Sequence, residues 1–327
     1  MTKIFSFIKI TPGSIIASAR IATHLSDLLG AKIHADEHVA DGPTDTLIIV
    51  NGAYAFTGNV ILGALASAIE EADKIIWVQN DFTIIPQKHT GAATSPFRKA
   101  FRLRHERGKG APIYWTTVKN MSRPGLSRSG HLIGDCSRYM NWNALAMLDD
   151  PTVSGEVDRR PYRDRMVYYG SFRKTRKPYF DRYFMDPATK TTISSPTKKF
   201  EAEYLSPKVT HAPKFRELYT DLNLYGLGLY IEDQKSHDEY HSPANRFYEM
   251  LSARVPMVFQ PESRGMLKLA GYDVSPWVVH SSKDIENAMD RQCEIQAQQF
   301  NEFHGTAIAE RRELDIDIMN AWKVAND

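Results

Sequence analysis

Apolar residues in the first half of the chain form short continuous runs that alternate with segments of helical spacing. The runs at 46–50 (Thr-Leu-Ile-Ile-Val) and 74–78 (Lys-Ile-Ile-Trp-Val) are typical of strands buried on both faces of a parallel sheet. Between them, the apolar positions of 60–72 recur every three or four residues and predict an amphipathic helix. This alternation predicts an α/β fold with a doubly wound parallel sheet.

The same criteria predict the other elements of the chain. Strands are expected at 3–10, 32–35, 111–118, 224–231, 255–259 and 277–280. Helices are expected at 15–29, 213–222, 283–303 and 307–324. Gly30 is expected to end the first of these helices, and a further helix is expected to open at Ser242 and Pro243, with the serine as its cap.

A charged segment without periodicity divides the chain into two series of strands and helices. Residues 149–164 are interpreted as a linker, and the second series begins at Met166. The length of 327 residues is sufficient for two domains of ordinary size. We therefore expect two Rossmann-like domains at 1–160 and 161–305 that face each other across a cleft, followed by a C-terminal helix at 306–327.

Composition excludes several classes of protein. Hydrophobic residues make up 42% and charged residues 24% of the chain, as in a globular protein, and no apolar run is long enough to span a bilayer. The two cysteines, Cys136 and Cys293, are far apart and suggest neither a disulfide framework nor a zinc site. The first residues carry no signal pattern, so a cytoplasmic location is expected. A net charge of only +2 means that binding of nucleic acid would require a local basic patch.

The segment 166–176 (Met-Val-Tyr-Tyr-Gly-Ser-Phe-Arg-Lys-Thr-Arg) predicts a strand, a tight turn at Gly170 and Ser171, and then a helix. Such a turn collects free backbone N–H groups and the positive end of a helix. Arg173 and Arg176 would add forked donors that suit phosphate oxygens. The pattern indicates a diphosphate site at the carboxyl end of a strand. Alternatively, it is a structural corner with a solvated basic face.

Three further residues could complete such a site. Arg246 and Glu249 lie three positions apart on one face of a predicted helix, where the arginine could bind phosphate and the carboxylate could accept hydrogen bonds from ribose hydroxyls. Asp81 follows the strand at 74–78 and could take a proton from an attacking hydroxyl. Alternatively, Arg246 and Glu249 form a surface ion pair, and Asp81 is a turn or cap residue.

Residues 87–110 lack apolar periodicity and carry many basic residues against a single acid, Glu106. They are interpreted as a long basic loop that could neutralise a polyanion such as a DNA backbone. The alternative is a solvated, partly disordered loop. The basic residues that could contact DNA in and after this segment are Arg98, Lys99, Arg102, Arg104, Arg107, Lys109, Lys119 and Arg123.

Several of these blocks resemble the phage DNA β-glucosyltransferases, which have two Rossmann-like domains in a GT-B fold. Residues 77–81 (Trp-Val-Gln-Asn-Asp) resemble the strand that carries the family's general-base aspartate. Residues 169–173 (Tyr-Gly-Ser-Phe-Arg) are similar to the family's Gly-Gly-Ser-Phe-Arg, and residues 245–249 (Asn-Arg-Phe-Tyr-Glu) to its Leu-Arg-Val-Trp-Glu. The blocks occur in the family's order over most of the chain.

The resemblance implies a role for each matching residue. Asp81 would be the general base, Gly170, Ser171 and Arg173 would bind the diphosphate of UDP-glucose, Arg246 would reach phosphate, and Glu249 would hold the ribose. Arg176 follows Arg173 by three residues, whereas the family's second arginine follows by four. Val209 and His211 lie where the family reads uracil through its backbone, and Ser18 lies near the place of a family glutamate that contacts the sugar region. The last helix would cross back to the first domain.

The function implied is that of an inverting glycosyltransferase. It would transfer glucose or a related sugar from a UDP-sugar to the hydroxymethyl group of 5-hydroxymethylcytosine or 5-hydroxymethyluracil in duplex DNA, with the base flipped out of the stack. A divalent cation (Mg²⁺ or Mn²⁺) could assist release of the diphosphate, with no protein cage for it. A monomer without a membrane partner is expected. Two alternatives stay open: a GT-B transferase acting on a small molecule or surface glycan, and a non-catalytic DNA-binding protein with a degenerate nucleotide fold.

Overall fold

The computed structural model describes residues 1–7, 16–50, 59–79, 96–110, 112–117, 137–148, 156–215, 218–233 and 242–326. The chain divides into two compact units. Unit 1 comprises Met1–Leu145 and Glu313–Asp327, and unit 2 comprises Ala146–Arg312. The sequence pattern places the two borders at 160 and 305, whereas the chain passes between the units after residues 145 and 312.

Unit 1 is built on a parallel sheet. Its described strands are β1 (Thr2–Ser6), β2 (Lys32–His34), β3 (Thr46–Val50), β4 (Lys74–Gln79), β5 (Ile113–Thr116) and β6 (Ser137–Tyr139). They lie in the order β2-β1-β3-β4-β5-β6, and every neighbouring pair is parallel. Its described helices are α1 (Ala17–Leu29), α2 (Asn59–Glu71) and α3 (Pro96–Glu106).

The central strands of this sheet are covered on both faces. Leu47 and Ile49 of β3 belong to a core cluster that contains apolar residues of α2, whereas Ile48 and Val50 belong to a second cluster with apolar residues of α1. Successive side chains of a strand point to opposite faces, so a strand covered on both faces must be apolar throughout. This explains why the continuous run at 46–50 predicted β3 with its observed bounds.

Unit 2 contains a second parallel sheet. Its described strands are β7 (Tyr162–Tyr169), β8 (Lys190–Ser194), β9 (Val209–Ala212), β10 (Tyr225–Tyr230) and β11 (Met257–Phe259), in the order β11-β10-β7-β8-β9. Its described helices are α4 (Lys177–Phe184), α5 (Lys199–Glu203), α6 (Leu218–Leu222), α7 (Asn245–Ser252), α8 (Arg264–Leu269) and α9 (Ser282–Asp290). β7 is the central strand. It begins at Tyr162, inside the segment 149–164 interpreted as a linker, so the predicted linker extends too far toward the C-terminus.

The last helix, α10 (Gln292–Asn326), is 35 residues long. Helices are present over the two ranges expected at 283–303 and 307–324, but the predicted border between them is wrong. The first helix, α9, ends at Asp290, and the chain passes through Gly305 without leaving α10. Leu314 and Ile318, near its end, are buried in the unit 1 cluster that also contains Ile4 and Ile21. None of the described helices is long and apolar enough to cross a membrane.

The segment 87–110 is not a loop throughout, because α3 occupies part of it. The buried face of α3 is formed by Ala100, Phe101 and Arg104. Arg104 is only 2% exposed and donates hydrogen bonds to the backbone carbonyls of Gly110 (3.0 Å), Asp73 (2.5 Å) and Ala72. Arg104 occupies a position that is apolar in a typical amphipathic helix and so interrupts the apolar periodicity. This is why the sequence pattern did not predict the helix.

Other expectations also fail at polar or short elements. Residues 277–280 do not form a strand, because Ser275–Trp277 is a 3₁₀ helix and Val278 makes only a single bridge to Phe259. The N-cap position of helix α7 is occupied by Ala244, which makes no side-chain cap, so the expected cap by Ser242 is wrong. The buried hydroxyl of Ser242 has no hydrogen-bond partner among the described residues. The short strands β6, β8 and β9 and the helices α5 and α8 were not predicted.

We expect Arg104→Ala to lower the free energy of unfolding by about 3 kcal/mol, because it leaves buried carbonyls without donors and opens space beside α2. Arg102→Ala on the same helix is the control. Its side chain is 68% exposed, so a change within about 0.5 kcal/mol is expected. Urea denaturation of both variants measures the difference, and equal losses would contradict the structural role of Arg104.

Candidate functional site

The turn after β7 has a backbone conformation that requires glycine. Gly170 has φ of +146°, and its N–H donates to the carbonyl of Ser194 at 3.0 Å, which fixes the turn beside the end of β8. A Cβ atom at this position would lie 3.1 Å from Nη2 of Arg246 and 3.2 Å from the hydroxyl of Tyr168. The missing side chain therefore lets the arginine approach the turn.

The predicted order of strand, glycine turn and helix is present. Ser171 is exposed directly after the turn. The chain then forms a 3₁₀ helix at Lys174–Arg176, which leads into α4 with Pro178 in its first turn. Proline is well tolerated there because the first N–H groups of a helix have no partner within the helix.

Two consecutive acids follow β10, and both pair with the arginines predicted for the site. Glu232 lies 2.6 Å from Nη2 of Arg176 and 3.2 Å from Nε of Arg246. Asp233 lies 3.3 Å from Nη1 of Arg173 and 3.5 Å from Nη2 of Arg176. Since β7 and β10 are adjacent and parallel, their carboxyl ends meet at the same edge of the sheet, where α/β folds bind ligands.

These charges differ in their access to solvent. Arg176 is 5% exposed and Glu232 4%, whereas Arg173 is 56% exposed. Burial is the strongest single influence and acts to lower the pKa of the Arg176 and Arg246 guanidinium groups. The Glu232 carboxylate and the contacts with Tyr168 together outweigh it, so that the pKa of both arginines is raised. The two arginines thus remain charged inside the protein.

Arg246 is held by several contacts besides its ion pair. Its Nη1 donates to the carbonyl of Ile231 at 2.7 Å and to the hydroxyl of Tyr168 at 3.4 Å. Its guanidinium carbon lies 5.4 Å from the centre of the Tyr168 ring and 5.9 Å from that of Tyr169. An arginine held by so many groups presents its remaining donors in a fixed direction.

Glu249 lies one helical turn after Arg246, and its carboxylate is buried. It accepts a hydrogen bond of 2.7 Å from the hydroxyl of Tyr169, the last residue of β7. Since Glu249 is buried and Arg246 pairs with Glu232, the alternative of a solvent-exposed Arg246–Glu249 pair does not describe this structure. A carboxylate can accept up to about four hydrogen bonds, so the bond from Tyr169 is compatible with further donors.

Val209 and His211 belong to β9, the edge strand of the unit 2 sheet. The Nε2 atom of His211 lies 2.9 Å from the carbonyl oxygen of Tyr204, so this nitrogen must be the donor. Ser18, by contrast, is a buried residue of α1 in unit 1. No group of three or more metal-ligating side chains is placed to hold an ion in the described parts of the chain.

Several predicted residues lie outside the described parts of the chain. These are Asp81, Lys119 and Arg123, and the side chain of Arg98 is not described either. β4 ends at Gln79, two residues before Asp81.

Some of the basic residues predicted to contact DNA have partners inside unit 1. Arg104 is buried as described above, so its expected contact with DNA is corrected to a structural role. Arg107 lies 2.6 Å from Glu70 and 3.5 Å from Glu71. Lys109 lies 3.3 Å from Asp73 and donates to the carbonyl of Glu71. Lys99 is exposed, and so is Arg102, which lies 3.6 Å from Glu106.

Sequence reasoning missed Glu232, Asp233 and Tyr169. A signal for the two acids was present, because Glu232 and Asp233 come directly after a buried strand, and such strand ends collect functional side chains. The partner of each acid could not be read from the sequence, since the pairs join positions separated by 14 to 60 residues.

The sequence matches no family model and no curated protein sequence. Solved structures match over the whole length. A mutant of phage T4 β-glucosyltransferase in complex with UDP-glucose is similar with a TM-score of 0.72 and 12% identity, over 98% of this chain and 99% of that chain. An α-glucosyltransferase in complex with UDP-glucose and DNA containing an abasic site has a TM-score of 0.62 and 12% identity, over 100% and 99%.

A third structure with this fold is HepE from Anabaena in complex with UDP-glucose. It has a TM-score of 0.55 and 10% identity, over 100% of this chain and 98% of that chain. At such identities the likeness establishes the fold. The predicted GT-B fold is therefore confirmed, and the chain has the architecture of the phage glucosyltransferases that its sequence blocks resemble.

Proposed function

We propose that the protein is a UDP-sugar-dependent glycosyltransferase. It transfers glucose, or a related sugar, to the hydroxymethyl group of 5-hydroxymethylcytosine or 5-hydroxymethyluracil in duplex DNA. The observation that carries the proposal is the cluster of Arg173, Arg176 and Arg246 at the Gly170 turn, in a chain with the GT-B fold. Two proteins that share this fold are glucosyltransferases in complex with UDP-glucose, one of them together with DNA.

The donor would lie at the carboxyl ends of β7 and β10. The three arginines and the exposed turn at Ser171 bind the diphosphate, and their charge stabilises the negative charge that grows on it as the sugar leaves. Glu249, oriented by the Tyr169 hydroxyl, accepts hydrogen bonds from the ribose. Val209 and His211, on the edge strand, contact the uracil through their backbone.

The acceptor hydroxyl would be activated by Asp81. A carboxylate that removes its proton lets the oxygen attack the anomeric carbon opposite the leaving UDP, and one such displacement inverts the configuration. Ser18 would lie at the sugar region. A divalent cation could assist departure of the diphosphate, since phage T4 β-glucosyltransferase has been crystallised with UDP and Mn²⁺.

DNA phosphates would be bound by the exposed Lys99 and Arg102 of α3, with Arg98, Lys119 and Arg123 as further candidates. A transferase acting on a small molecule or surface glycan is the second candidate. It is favoured by the loss of Arg104 from the basic surface and by the shared fold of HepE, which binds UDP-glucose. Both candidates use the same donor site and differ in the acceptor.

A transfer assay tests the reaction. Duplex DNA containing either hydroxymethylated base is incubated with UDP-glucose, and the digested nucleosides are examined by mass spectrometry. We expect a hexose on the base with the wild type and a loss of about 10²-fold or more in rate with Asp81→Asn, because the general base is removed. Asp27→Asn, an exposed carboxylate of α1, should keep the wild-type rate.

Full activity of Asp81→Asn would remove Asp81 from its role. Absence of a hexose on both bases from a protein that binds UDP would favour the small-molecule candidate instead.

Gly170→Ala is expected to weaken UDP binding by about tenfold or more. The added Cβ would meet Arg246, and φ of +146° is unfavourable for alanine, so the turn and the arginine must both shift. Gly265→Ala in α8 is the matched control, because a Cβ there meets nothing within 4 Å. Isothermal titration with UDP measures both variants, and wild-type affinity of Gly170→Ala would exclude the turn from the donor site.

Charge reversal of Lys99 and Arg102 tests the DNA surface. The double variant Lys99→Glu/Arg102→Glu should bind duplex DNA about tenfold or more weakly and with a smaller salt dependence, because phosphate contacts are lost. The variant Arg264→Glu/Lys268→Glu makes the same charge change on exposed positions of α8 and should bind DNA within about threefold of the wild type. Equal losses of DNA affinity in both variants would show that the net charge of the protein is responsible, and would contradict a specific role of Lys99 and Arg102.

A further inference from the structure

Glu232 joins two of the arginines in the proposed donor site. One carboxylate oxygen lies 2.6 Å from Nη2 of Arg176, and the other lies 3.2 Å from Nε of Arg246. Its backbone is fixed by the buried Gln260, whose side chain accepts from the Glu232 N–H at 3.2 Å and donates to the Glu232 carbonyl at 3.1 Å. Glu232 is thus a buried anion held in place beside the arginines.

The arginines have other anchors. Arg246 also donates to the carbonyl of Ile231 and lies over the Tyr168 ring, and Arg176 also lies 3.5 Å from Asp233. Removal of the Glu232 charge would therefore change the electrostatic potential at the site more than the positions of the guanidinium groups.

The charge of Glu232 acts against a diphosphate. Any phosphate bound by Arg176 and Arg246 comes close to this carboxylate, and two anions at such a distance repel each other. Because Glu232 is only 4% exposed, salt screens this repulsion poorly. Most of the positive charge of the three arginines is already balanced by Glu232 and Asp233 before a ligand arrives.

We propose that Glu232 is a built-in counter-anion that lowers the affinity of the site for the nucleoside diphosphate and thereby speeds its release after transfer. It keeps the buried arginines neutralised in the unliganded protein and competes with the diphosphate for their donors. The inference rests on the proposed function, since it concerns the same donor site.

The test is titration of the wild type and Glu232→Gln with uridine, UMP and UDP at low and high salt. The variant should bind UDP about tenfold more tightly, UMP less so, and uridine unchanged, because the effect grows with ligand charge. Its UDP affinity should fall more steeply with salt, and UDP should dissociate more slowly in stopped-flow experiments. Glu262→Gln, which breaks the Glu262–Arg182 ion pair of 2.6 Å, should leave UDP binding unchanged.

Equal or weaker UDP binding by Glu232→Gln would overturn the inference, and so would a tightening that is the same for uridine. If neither the wild type nor the variant binds UDP, the proposed donor site itself fails, and the inference with it. If Glu232→Gln does not fold, the substitution is made together with Arg176→Gln. The double variant has one fewer buried guanidinium group for a carboxylate to neutralise. UDP should then bind more tightly to the double variant than to Arg176→Gln, and no difference would reject the counter-anion role.

Discussion

A buried carboxylate allows two arginines to lie together at the end of β10. Two guanidinium groups removed from water would repel each other and lose hydration, and a buried charge is stable only when it is paired. Glu232 pairs with both Arg176 and Arg246, and burial of this group is itself compensated by the two cations. The site can therefore keep two guanidinium groups side by side before a diphosphate arrives, with their charge balanced by Glu232.

The parallel sheet brings these residues together from distant parts of the chain. The turn at Gly170, the acids after β10 and the amino end of α7 all lie at the carboxyl edge of β7 and β10. Hydrogen bonds to the backbone fix the positions of the turn and of the acids at this edge. After β7, the N–H of Gly170 donates a hydrogen bond to the carbonyl of Ser194. After β10, the side chain of Gln260 makes two hydrogen bonds to the backbone of Glu232. The order of the strands, more than any single motif, thus determines which side chains can share a ligand.

Local patterns in the sequence predicted many of the strands and helices. The apolar runs at 46–50 and 74–78 were sufficient to predict strands β3 and β4, because a strand covered on both faces must be apolar along its length. Elements with polar or very short patterns were missed, among them β8, which reads Lys-Thr-Thr-Ile-Ser. At the site, the glycine turn and the Arg246–Glu249 spacing are local and were found. The pairing of Arg176 with Glu232 depends on strand order, so no local pattern could have given it.

The basic segment shows why the number of basic residues overstates the capacity to bind a polyanion. Arg104 uses its donors on buried carbonyls, while Arg107 and Lys109 face the acids at the end of α2 and beyond it. A cation that is already paired adds little to the long-range field, because the field of the pair falls off faster than that of a single charge. Binding of DNA by α3 would therefore depend mainly on the exposed Lys99 and on Arg102. The Nε atom of Arg102 lies 3.6 Å from the exposed Glu106, a looser pair than the 2.6 Å between Arg107 and Glu70. Burial and pairing, which only the fold reveals, separate these side chains from neighbours of the same charge.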